Sequence, residues 1–467
     1  MRHLKLFPLL SASLALFVGG CSSGGNSVGR TAQTITFDNP GTQTAGTSLT
    51  LSAKASSGAA VTFTSATPGI CTVSGTTATF VTAGACTIDA SQAGNSTYAG
   101  ASQVTQSFTV NPAIGPTTTI YISGFAISAA STSSNILTVP EVWQLTSGNP
   151  TATATLLPMP SGMTSAQANA IALSGSDVYV AGTAWNGTNQ VAVYWLNNGA
   201  ATTLPSTSTF ATASSIAVSG NNVYVAGFEE TGPGNGNALL WVNGTATTLS
   251  PPSGMAYSDA SAITVSGGNV YVAGTAWNTG NDESAALWVN GAATLLPMPT
   301  GLTGDYYAGG VAVSGGNVYV SGYTDSDADT DTAISWVNNG APTTLPIPAG
   351  ILYGEYSANG IAVSGSDVYV AGSGSTSVGS GTAAFWENGT PTTLPMPSGI
   401  QESTATSWAV RIALSGGDVY SVGSLVDSTA GVGQTGAYWV NGGEATLLPM
   451  PSGTYESWTT AIAVATQ

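Results

Sequence analysis

A run of aspartates in the 467-residue sequence has a spacing that could bind a cation. Asp325, Asp327, Asp329 and Asp331 stand at alternate positions, and no basic residue lies near them. In a β-strand the four carboxylates would project from one side and repel one another. In a wrapped loop they would converge, and a hard cation such as Ca²⁺ would relieve the repulsion. We predict a weak, loop-ordering Ca²⁺ site here; the alternative is an acidic loop that is only solvated.

The spacing resembles that of Asp-x-Asp-x-Asp calcium loops, with two departures. Thr330 occupies the sixth position, where the sharp turn uses glycine, and Trp336 occupies the twelfth, where a glutamate would bind through both oxygens. These departures exclude a helix–loop–helix calcium hand. We expect no cofactor other than this Ca²⁺.

Aromatic rings and carboxylates recur together in the segments that precede one type of repeated strand. The set comprises Tyr257, Asp305, Tyr306, Tyr307, Tyr353, Glu355, Tyr356, Trp408, Tyr455, Glu456 and Trp458. Aromatic faces stack on the apolar faces of sugars while carboxylates accept hydroxyl hydrogen bonds, and the same mixture suits a protein partner. We predict that these residues bind a carbohydrate or protein ligand; the alternative is that the rings only cover hydrophobic cores.

Arg411 is the only basic residue between positions 119 and 467. It stands where equivalent repeats have a small residue such as Ala170 or Gly360. A long cation in place of a small residue breaks a packing rule, and such breaks often mark function. We predict that Arg411 binds an anionic group of the ligand; the alternative is an ion pair with a neighbouring carboxylate.

The residue inventory excludes several kinds of catalysis. The only histidine is His3, and the segment from 119 to 467 contains no lysine or cysteine. Ser–His–Asp triads, histidine metal sites, Schiff bases and thiol chemistry are therefore absent from that segment. A carboxylate pair for glycoside hydrolysis remains, with Asp305, Glu355 and Glu456 as candidates. We predict a non-catalytic binding or adhesion module, with a glycoside hydrolase and a purely structural envelope protein as alternatives.

Charge narrows the range of partners. Charged residues make up 6% of the chain, and the formal net charge is −17. Such a chain is repelled by phosphate backbones, so we expect no binding to nucleic acid. We expect the protein to be a monomer.

The N-terminus has the pattern of an export signal. Residues 1–20 comprise a positively charged start, an apolar run and small residues, and Cys21 follows. The segment resembles a bacterial lipoprotein signal, which implies cleavage before Cys21 and lipid on its sulfur; the alternative is an ordinary secretory signal. Ser22 then implies the outer membrane, with the protein on its periplasmic or extracellular face. Residues 21–32 are rich in Ser, Gly and Asn, and we predict a flexible tether.

Residues 33–111 contain short alternating strands separated by Gly, Pro and Asn, which is typical of a small β-sandwich. Cys71 and Cys86 both lie in this segment, and in an exported protein we predict a disulfide between them, with two buried thiols as the alternative. The cysteine pair and the segments Gln33–Phe37 and Ala90–Tyr98 resemble the bacterial immunoglobulin-like repeats of surface proteins. We predict a spacer that holds the next domain away from the membrane.

A linker, 112–118, precedes a segment, 119–467, in which four strand types recur seven times in fixed order. Type A is an Ile-Ala-Val-Ser-Gly run, type B holds a Val-Tyr or Ile-Tyr pair, type C holds a tryptophan and type D a Leu-Pro run. The repeat length of about fifty residues fits a four-stranded blade. The segment begins with B, C and D and ends with a lone A, so the last strand can join the first blade and close a ring. We predict an all-β protein, an immunoglobulin-like sandwich followed by a seven-bladed β-propeller.

The repeat resembles kelch-type propellers in its strand order and its Val-Tyr-Val strand, although pairs such as Ala181-Gly182 replace the kelch double glycine. The resemblance supports the fold and implies little about partners. We predict that the seven type C tryptophans fill the cores between blades. The A–B and C–D turns are tight, whereas the B–C and D–A loops are long and share the opposite face, where we predict the binding site.

Overall fold

The computed structural model describes residues 29–111, 118–146, 149–325, 331–348, 356–375, 381–400, 405–427 and 432–466. The chain forms two compact units, which divide between residues 115 and 116. Every element in the described ranges is a β-strand, so the all-β prediction is confirmed. No helix that could span a membrane is found in them. The predicted signal, Cys21 and most of the tether and linker lie outside these ranges.

Between residues 29 and 111 the N-terminal unit contains nine short strands. They are β1 (Ile35–Phe37), β2 (Gln43–Thr44), β3 (Ser48–Thr50), β4 (Ala53–Ala55), β5 (Thr62–Ser65), β6 (Cys71–Ser74), β7 (Thr77–Phe80), β8 (Gly84–Ser91) and β9 (Val104–Asn111). They form a pair β1–β4, a three-stranded sheet β3–β7–β6 and a four-stranded sheet β2–β9–β8–β5. Alternate residues of these strands point inward, and the core contains Phe37, Phe63, Phe80 and Phe108.

A disulfide joins Cys71 of β6 to Cys86 of β8, as predicted from the sequence. Both cysteines are fully buried. Because β6 and β8 belong to different sheets, the bond links the three-stranded sheet to the four-stranded one. A cross-link of this kind stabilises a unit whose core is small.

The C-terminal unit contains strands β10 to β37, which form seven four-stranded antiparallel sheets within the described ranges. Sheet 1 consists of β10 (Thr118–Ser128), β11 (Thr138–Thr146), β12 (Asn149–Leu156) and β37 (Thr454–Thr466). Sheet 2 consists of β13 (Ser165–Ser174), β14 (Asp177–Trp185), β15 (Gln190–Leu196) and β16 (Thr202–Thr203). Sheet 3 consists of β17 (Ala211–Ser219), β18 (Asn222–Gly232), β19 (Asn235–Val242) and β20 (Thr245–Leu249).

The remaining sheets repeat this order. Sheet 4 consists of β21 (Tyr257–Ser266), β22 (Asn269–Trp277), β23 (Glu283–Val289) and β24 (Ala292–Leu295). Sheet 5 consists of β25 (Asp305–Ser314), β26 (Asn317–Asp325), β27 (Thr332–Val337) and β28 (Thr343–Thr344). Sheet 6 consists of β29 (Tyr356–Ser364), β30 (Asp367–Ser375), β31 (Gly381–Glu387) and β32 (Thr390–Thr393). Sheet 7 consists of β33 (Thr406–Ser415), β34 (Asp418–Asp427), β35 (Val432–Val440) and β36 (Thr446–Leu447).

The first strand of each sheet from 2 to 6 contacts the first strand of the next, from β13 through to β33. Strand β37 of sheet 1 contacts both β33 and β13, so the order of contacts is cyclic. The last strand of the chain thus lies beside β10, in the sheet that also holds the first strands of the unit. This arrangement of antiparallel sheets is consistent with a β-propeller.

The first strands of sheets 2 to 7, and β37 in sheet 1, carry a β-bulge at the same place. The extra residues are Asn169, Ser214, Ser261, Gly309, Asn359, Val410 and Thr460. A bulge bends its strand and turns a carbonyl out of the regular ladder. In every sheet the neighbouring strand has a glycine at this level, because a Cβ there would lie only 1.6 to 2.1 Å from the displaced carbonyl oxygen. The bulge and the glycine therefore form one repeated structural unit.

The seven tryptophans predicted to fill the cores between sheets are buried, as expected. Each indole N–H donates to a backbone carbonyl at the end of the preceding sheet, over 2.6 to 2.9 Å. Trp143 of sheet 1 donates to Pro449, which follows the last strand of sheet 7. The same contact therefore joins neighbouring sheets all round the cycle, including across the closure.

In sheets 2 to 7 the two tight turns at one end of the sheet are tied together. Asn290 is representative: its Oδ1 accepts from the Val270 N–H at 2.9 Å, and its Nδ2 donates to Asn269 Oδ1 at 2.8 Å. Asn290 also has a positive φ of 51°, as the first residue of a two-residue hairpin requires. The opposite ends of the sheets carry the longer connections.

We expect Asn290→Ala to lower the free energy of unfolding by about 2 kcal/mol, because it removes two hydrogen bonds and places alanine at positive φ. Urea unfolding followed by tryptophan fluorescence measures the change. Asn281→Ala is the matched control, since Asn281 has a φ of 67° but its side chain makes no hydrogen bond within the described residues. If both variants lose the same stability, backbone strain accounts for the effect and the hydrogen bonds contribute nothing.

Candidate functional site

Among the predicted ligand-binding residues that the structure describes, Trp408 and Tyr455 are the most exposed rings, at 36% and 50%. Tyr306 and Tyr356 are buried in the cores of sheets 5 and 6. The Tyr306 hydroxyl donates to the Leu296 carbonyl at 2.9 Å. The Tyr356 hydroxyl has no hydrogen-bond partner within the described residues, and burial raises its pKa to about 12. In the structure these two rings pack inward.

Three further aromatic residues of the predicted set pack against rings of their own sheets. The pairs are Tyr257 with Trp277, Tyr307 with Tyr323 and Trp458 with Phe125, with centroid separations of 5.9, 5.0 and 5.1 Å. Glu456 is half-buried in β37, opposite Ile127. Tyr353 and Glu355 lie outside the described residues. The carboxylates considered for hydrolysis, Asp305 and Glu456, stand in different sheets, 5 and 1.

Of the four alternating aspartates, Asp325 ends β26 and Asp331 immediately precedes β27. Asp327 and Asp329 lie outside the described residues. Within the described residues no cluster of three carboxylate, histidine or cysteine side chains forms a metal site. Ca²⁺ binding by this loop therefore stays a prediction.

Arg411 stands on β33, directly after the bulge. Its Nη1 donates to the Asn359 carbonyl of sheet 6 at 2.7 Å and to the Val410 carbonyl at 2.9 Å. Burial lowers the pKa of the guanidinium. Gly360 leaves room for the backbone of β33 as well as for this side chain, because a Cβ there would lie 2.9 Å from Arg411 Cα and 3.2 Å from Arg411 Cδ. In the described part of the chain the cation thus bonds to backbone carbonyls and joins sheets 6 and 7.

An open cleft of about 520 Å³ lies between sheets 2 and 3, at the end where β14 connects to β15. Its lining consists of Gln167, Asn169, Thr183, Trp185, Gly187, Thr188, Asn189, Gln190, Phe210 and Thr212. We call it the Trp185 cleft. Trp185 is half-buried, whereas Phe210 exposes 42% of its surface. The cleft therefore combines two accessible aromatic rings with amide and hydroxyl groups, and none of its lining residues is charged.

Local hydrogen bonds fix the polar side chains of this cleft. Asn169, the bulge residue of β13, donates to Thr183 Oγ1 at 3.0 Å and to the Ala213 carbonyl of sheet 3 at 2.9 Å. Gln190 Nε2 donates to Thr212 Oγ1 at 2.8 Å across the cleft. The side-chain oxygen of Gln190 (Oε1) and the Trp185 indole N–H make no hydrogen bond within the described residues. They can accept and donate to a ligand without breaking an existing bond.

The equivalent position between sheets 4 and 5 has a different lining. Trp277 corresponds to Trp185, Glu283 to Gln190 and Tyr307 to Thr212. The Tyr307 hydroxyl donates to Glu283, so ring and carboxylate meet across the gap. Burial has the largest effect on the pKa of Glu283 and raises it. The hydrogen bond from Tyr307 lowers this pKa, and the nearby carboxylates of Asp305 and Asp325 raise it further. The Trp277 indole N–H donates to the Gly234 carbonyl of sheet 3 at 3.0 Å, so it is not free to donate to a ligand.

Most residues of the Trp185 cleft could not be selected from the sequence. Trp185 lies in the run Gly182-Thr-Ala-Trp-Asn186, which recurs as Gly274-Thr-Ala-Trp-Asn278. The two runs are identical, so the difference between the open and the closed gap comes from residues on neighbouring strands. Gln190, Phe210 and Thr212 become recognisable only when the strand register places them opposite Trp185.

No protein-family model matches the sequence, and no curated protein matches it significantly. Several solved structures are similar in fold. The β-propeller domain of the Trilobed protease from Pyrococcus furiosus is 10% identical, with 71% of this chain and 95% of that one covered and a TM-score of 0.40. For YjhT the identity is 13%, the coverage 63% and 99%, and the TM-score 0.36. For a quinonprotein alcohol dehydrogenase-like protein from Bacteroides thetaiotaomicron the identity is 10%, the coverage 91% and 96%, and the TM-score 0.36.

Proposed function

We propose that this protein is an exported lipoprotein whose C-terminal unit is a seven-bladed β-propeller that binds uncharged carbohydrate in the Trp185 cleft. Each of the seven sheets is one blade, and β37 closes the ring by completing the first. The N-terminal unit, an immunoglobulin-like sandwich, serves as a spacer above a lipid anchor at Cys21 in the outer membrane. The cyclic contacts of β13, β33 and β37 support the seven-bladed ring.

The observation that carries the proposed function is the open Trp185 cleft itself. A sugar ring has an apolar face that packs against an aromatic ring and a rim of hydroxyl groups that need donors and acceptors. Trp185 and Phe210 supply exposed ring surface, and Gln167, Gln190 and Thr212 supply the polar groups. The volume of about 520 Å³ lies within the range of small-molecule sites.

The charges of the chain favour a neutral ligand. The protein has a formal net charge of −17, which repels anions, and the cleft has no carboxylate to attract a cation. Amide side chains bind hydroxyl groups without charge, because they carry both a donor and an acceptor. A neutral oligosaccharide therefore fits the cleft better than an acidic sugar or a basic peptide.

We expect Trp185→Ala to weaken binding of a neutral trisaccharide at least about tenfold, because it removes one of the two aromatic rings of the cleft. The measurement is isothermal titration with maltotriose, cellotriose, laminaritriose and chitotriose. Trp277→Ala is the matched control: it removes the same residue from an identical local sequence, beside a gap in which Tyr307 pairs with Glu283. A wild-type protein that binds none of the four sugars, or equal losses in both variants, would overturn the proposed function.

A second variant tests the cleft without removing a ring. The double change Gln190→Glu with Thr212→Tyr installs the pair that closes the gap between sheets 4 and 5, where Tyr307 donates to Glu283. Trisaccharide binding in the Trp185 cleft should be lost while thermal stability stays near the wild-type value. Unimpaired binding would show that the ligand uses another surface.

A further inference from the structure

A second, smaller cleft of about 260 Å³ opens where sheets 6 and 7 meet, and sheet 5 contributes two of its lining residues, Tyr323 and Asp331. Its lining includes Tyr323, Asp331, Ser357, Ser373, Gly381 and Trp408. We call it the Trp408 cleft. The strand register makes it equivalent to the Trp185 cleft: Ser357 corresponds to Gln167, Ser373 to Thr183 and Trp408 to Thr212. The two clefts thus occupy the same place in two different pairs of sheets.

The ring surface of the Trp408 cleft comes from the opposite wall. In the Trp185 cleft the tryptophan belongs to the earlier of the two sheets, whereas Trp408 belongs to the later one, on β33. The residues facing it from sheet 6 are small, which leaves the ring 36% exposed. A Cβ at position 381 would lie 3.3 Å from Trp408 Nε1, so Gly381 keeps the space beside the indole N–H open.

The hydrogen-bonding groups of the Trp408 cleft also suit a sugar. The indole N–H of Trp408 makes no hydrogen bond within the described residues and can donate to a hydroxyl. Ser357 and Ser373 present hydroxyl groups 3.5 Å apart, and Asn359 Nδ2 fixes Ser357 by donating to its Oγ at 3.0 Å. The seven tryptophans of the inter-sheet cores differ from Trp408 in this respect, because each of their indole N–H groups already donates to a carbonyl of the preceding sheet.

The two clefts lie nearly opposite each other in the cyclic order of the sheets. Going one way, four sheets separate the gap between 2 and 3 from that between 6 and 7; going the other way, three do. Both open at the end of the sheets that carries the longer connections. A trisaccharide can occupy one cleft at a time, whereas a polysaccharide lying across this end of the ring can reach both.

We propose that the Trp408 cleft is a second carbohydrate subsite, and that the protein binds polymeric glycans through two opposed clefts. This inference rests on the proposed function of the Trp185 cleft. Two linked subsites raise the affinity for a polymer through effective concentration, without any new contact. A single subsite would bind each trisaccharide stretch of a polymer with an affinity similar to that for the free trisaccharide.

The test compares trisaccharides with their soluble polymers. Isothermal titration with maltotriose, cellotriose, laminaritriose and chitotriose gives the number of sites, and affinity electrophoresis in gels containing soluble starch, β-glucan, laminarin or glycol chitin gives polymer binding. For the sugar that binds, we expect two sites in the wild type and one in Trp408→Ala. The variant should also lose at least about tenfold in polymer affinity. Trp277→Ala is the control, since it removes a tryptophan that lines neither cleft.

Each outcome decides between the two proposals. One site in the wild type, with Trp408→Ala and Trp277→Ala unchanged on polymer, overturns the second subsite and leaves the Trp185 cleft intact. Binding that Trp408→Ala abolishes and Trp185→Ala leaves unchanged supports the Trp408 cleft and overturns the proposed function of the other. A wild-type protein that binds no trisaccharide and no polymer overturns both.

Discussion

Replacing Gly423 by alanine is expected to prevent the C-terminal unit from folding or to destabilise it by more than about 4 kcal/mol. An ideal Cβ at this position lies 1.6 Å from the carbonyl oxygen of Trp408 and 3.0 Å from Ala409 Cα. Both are backbone atoms, so no side chain can move aside to make room. Strands β33 and β34 would have to separate, which breaks their hydrogen bonds beside the bulge at Val410.

The measurement is the yield of soluble protein, followed by thermal unfolding of whatever folds. Gly433→Ala is the matched control in the same sheet, because a Cβ there meets nothing closer than 3.8 Å. Gly433 is not at positive φ, so alanine adds no backbone strain. If Gly423→Ala unfolds at the wild-type temperature, the carbonyl displaced by the bulge does not restrict this position.

The sequence contains the repeated glycine but not the reason for it. Each of the seven repeats has a glycine after its Val-Tyr strand, and the repeat length, the tryptophans and the lone final strand predict the sheets and their closure. The reason for the glycine lies in the neighbouring strand, where the seven bulge residues are of five different types, Asn, Ser, Gly, Val and Thr. A bulge without a sequence signature appears only once the register is known.

The sequence predicted at which end of the sheets the candidate site lies, but not which residues form it. The loops that carry it follow from the tight turns, which leave the longer connections at the opposite end of the sheets. The individual residues do not follow, because exposure depends on what faces each ring across a gap. Tyr306 and Trp408 both belong to the predicted set, yet the first is buried and the second is exposed, since Gly381 and two serines face Trp408.

Glu141→Gln is expected to abolish most of the pH dependence of stability between pH 5 and pH 8. Glu141 lies in β11, where the other sheets have apolar residues such as Val193 and Ile334. It is completely buried, and neither carboxyl oxygen has a hydrogen-bond partner within the described residues. Burial in this environment raises the pKa of the carboxyl from 4.5 to about 9. The folded protein therefore carries Glu141 as a neutral acid at pH 7.

The direction in which stability changes with pH follows from the proton that Glu141 binds on folding. The unfolded chain loses the Glu141 proton above pH 4.5, whereas the folded chain keeps it up to about pH 9. The raised pKa thus contributes stability that is fully present below pH 4.5 and is lost as pH rises through about 9. At about 1.4 kcal/mol per pH unit, the loss between pH 5 and pH 8 is roughly 4 kcal/mol. Glutamine cannot ionise, so the variant should lack this slope.

Glu229→Gln is the matched comparison, with the opposite sign. Burial alone would raise the pKa of Glu229, but hydrogen bonds from Ser206 and Thr207 outweigh it and lower the pKa. Its contribution is therefore present above the unfolded pKa and lost as pH falls through the folded value, so Glu229→Gln should destabilise most at neutral pH. Denaturant unfolding of both variants from pH 4 to pH 9 separates them. Parallel curves for wild type and Glu141→Gln would mean that the folded protein holds Glu141 ionised, with a partner that stabilises the charge.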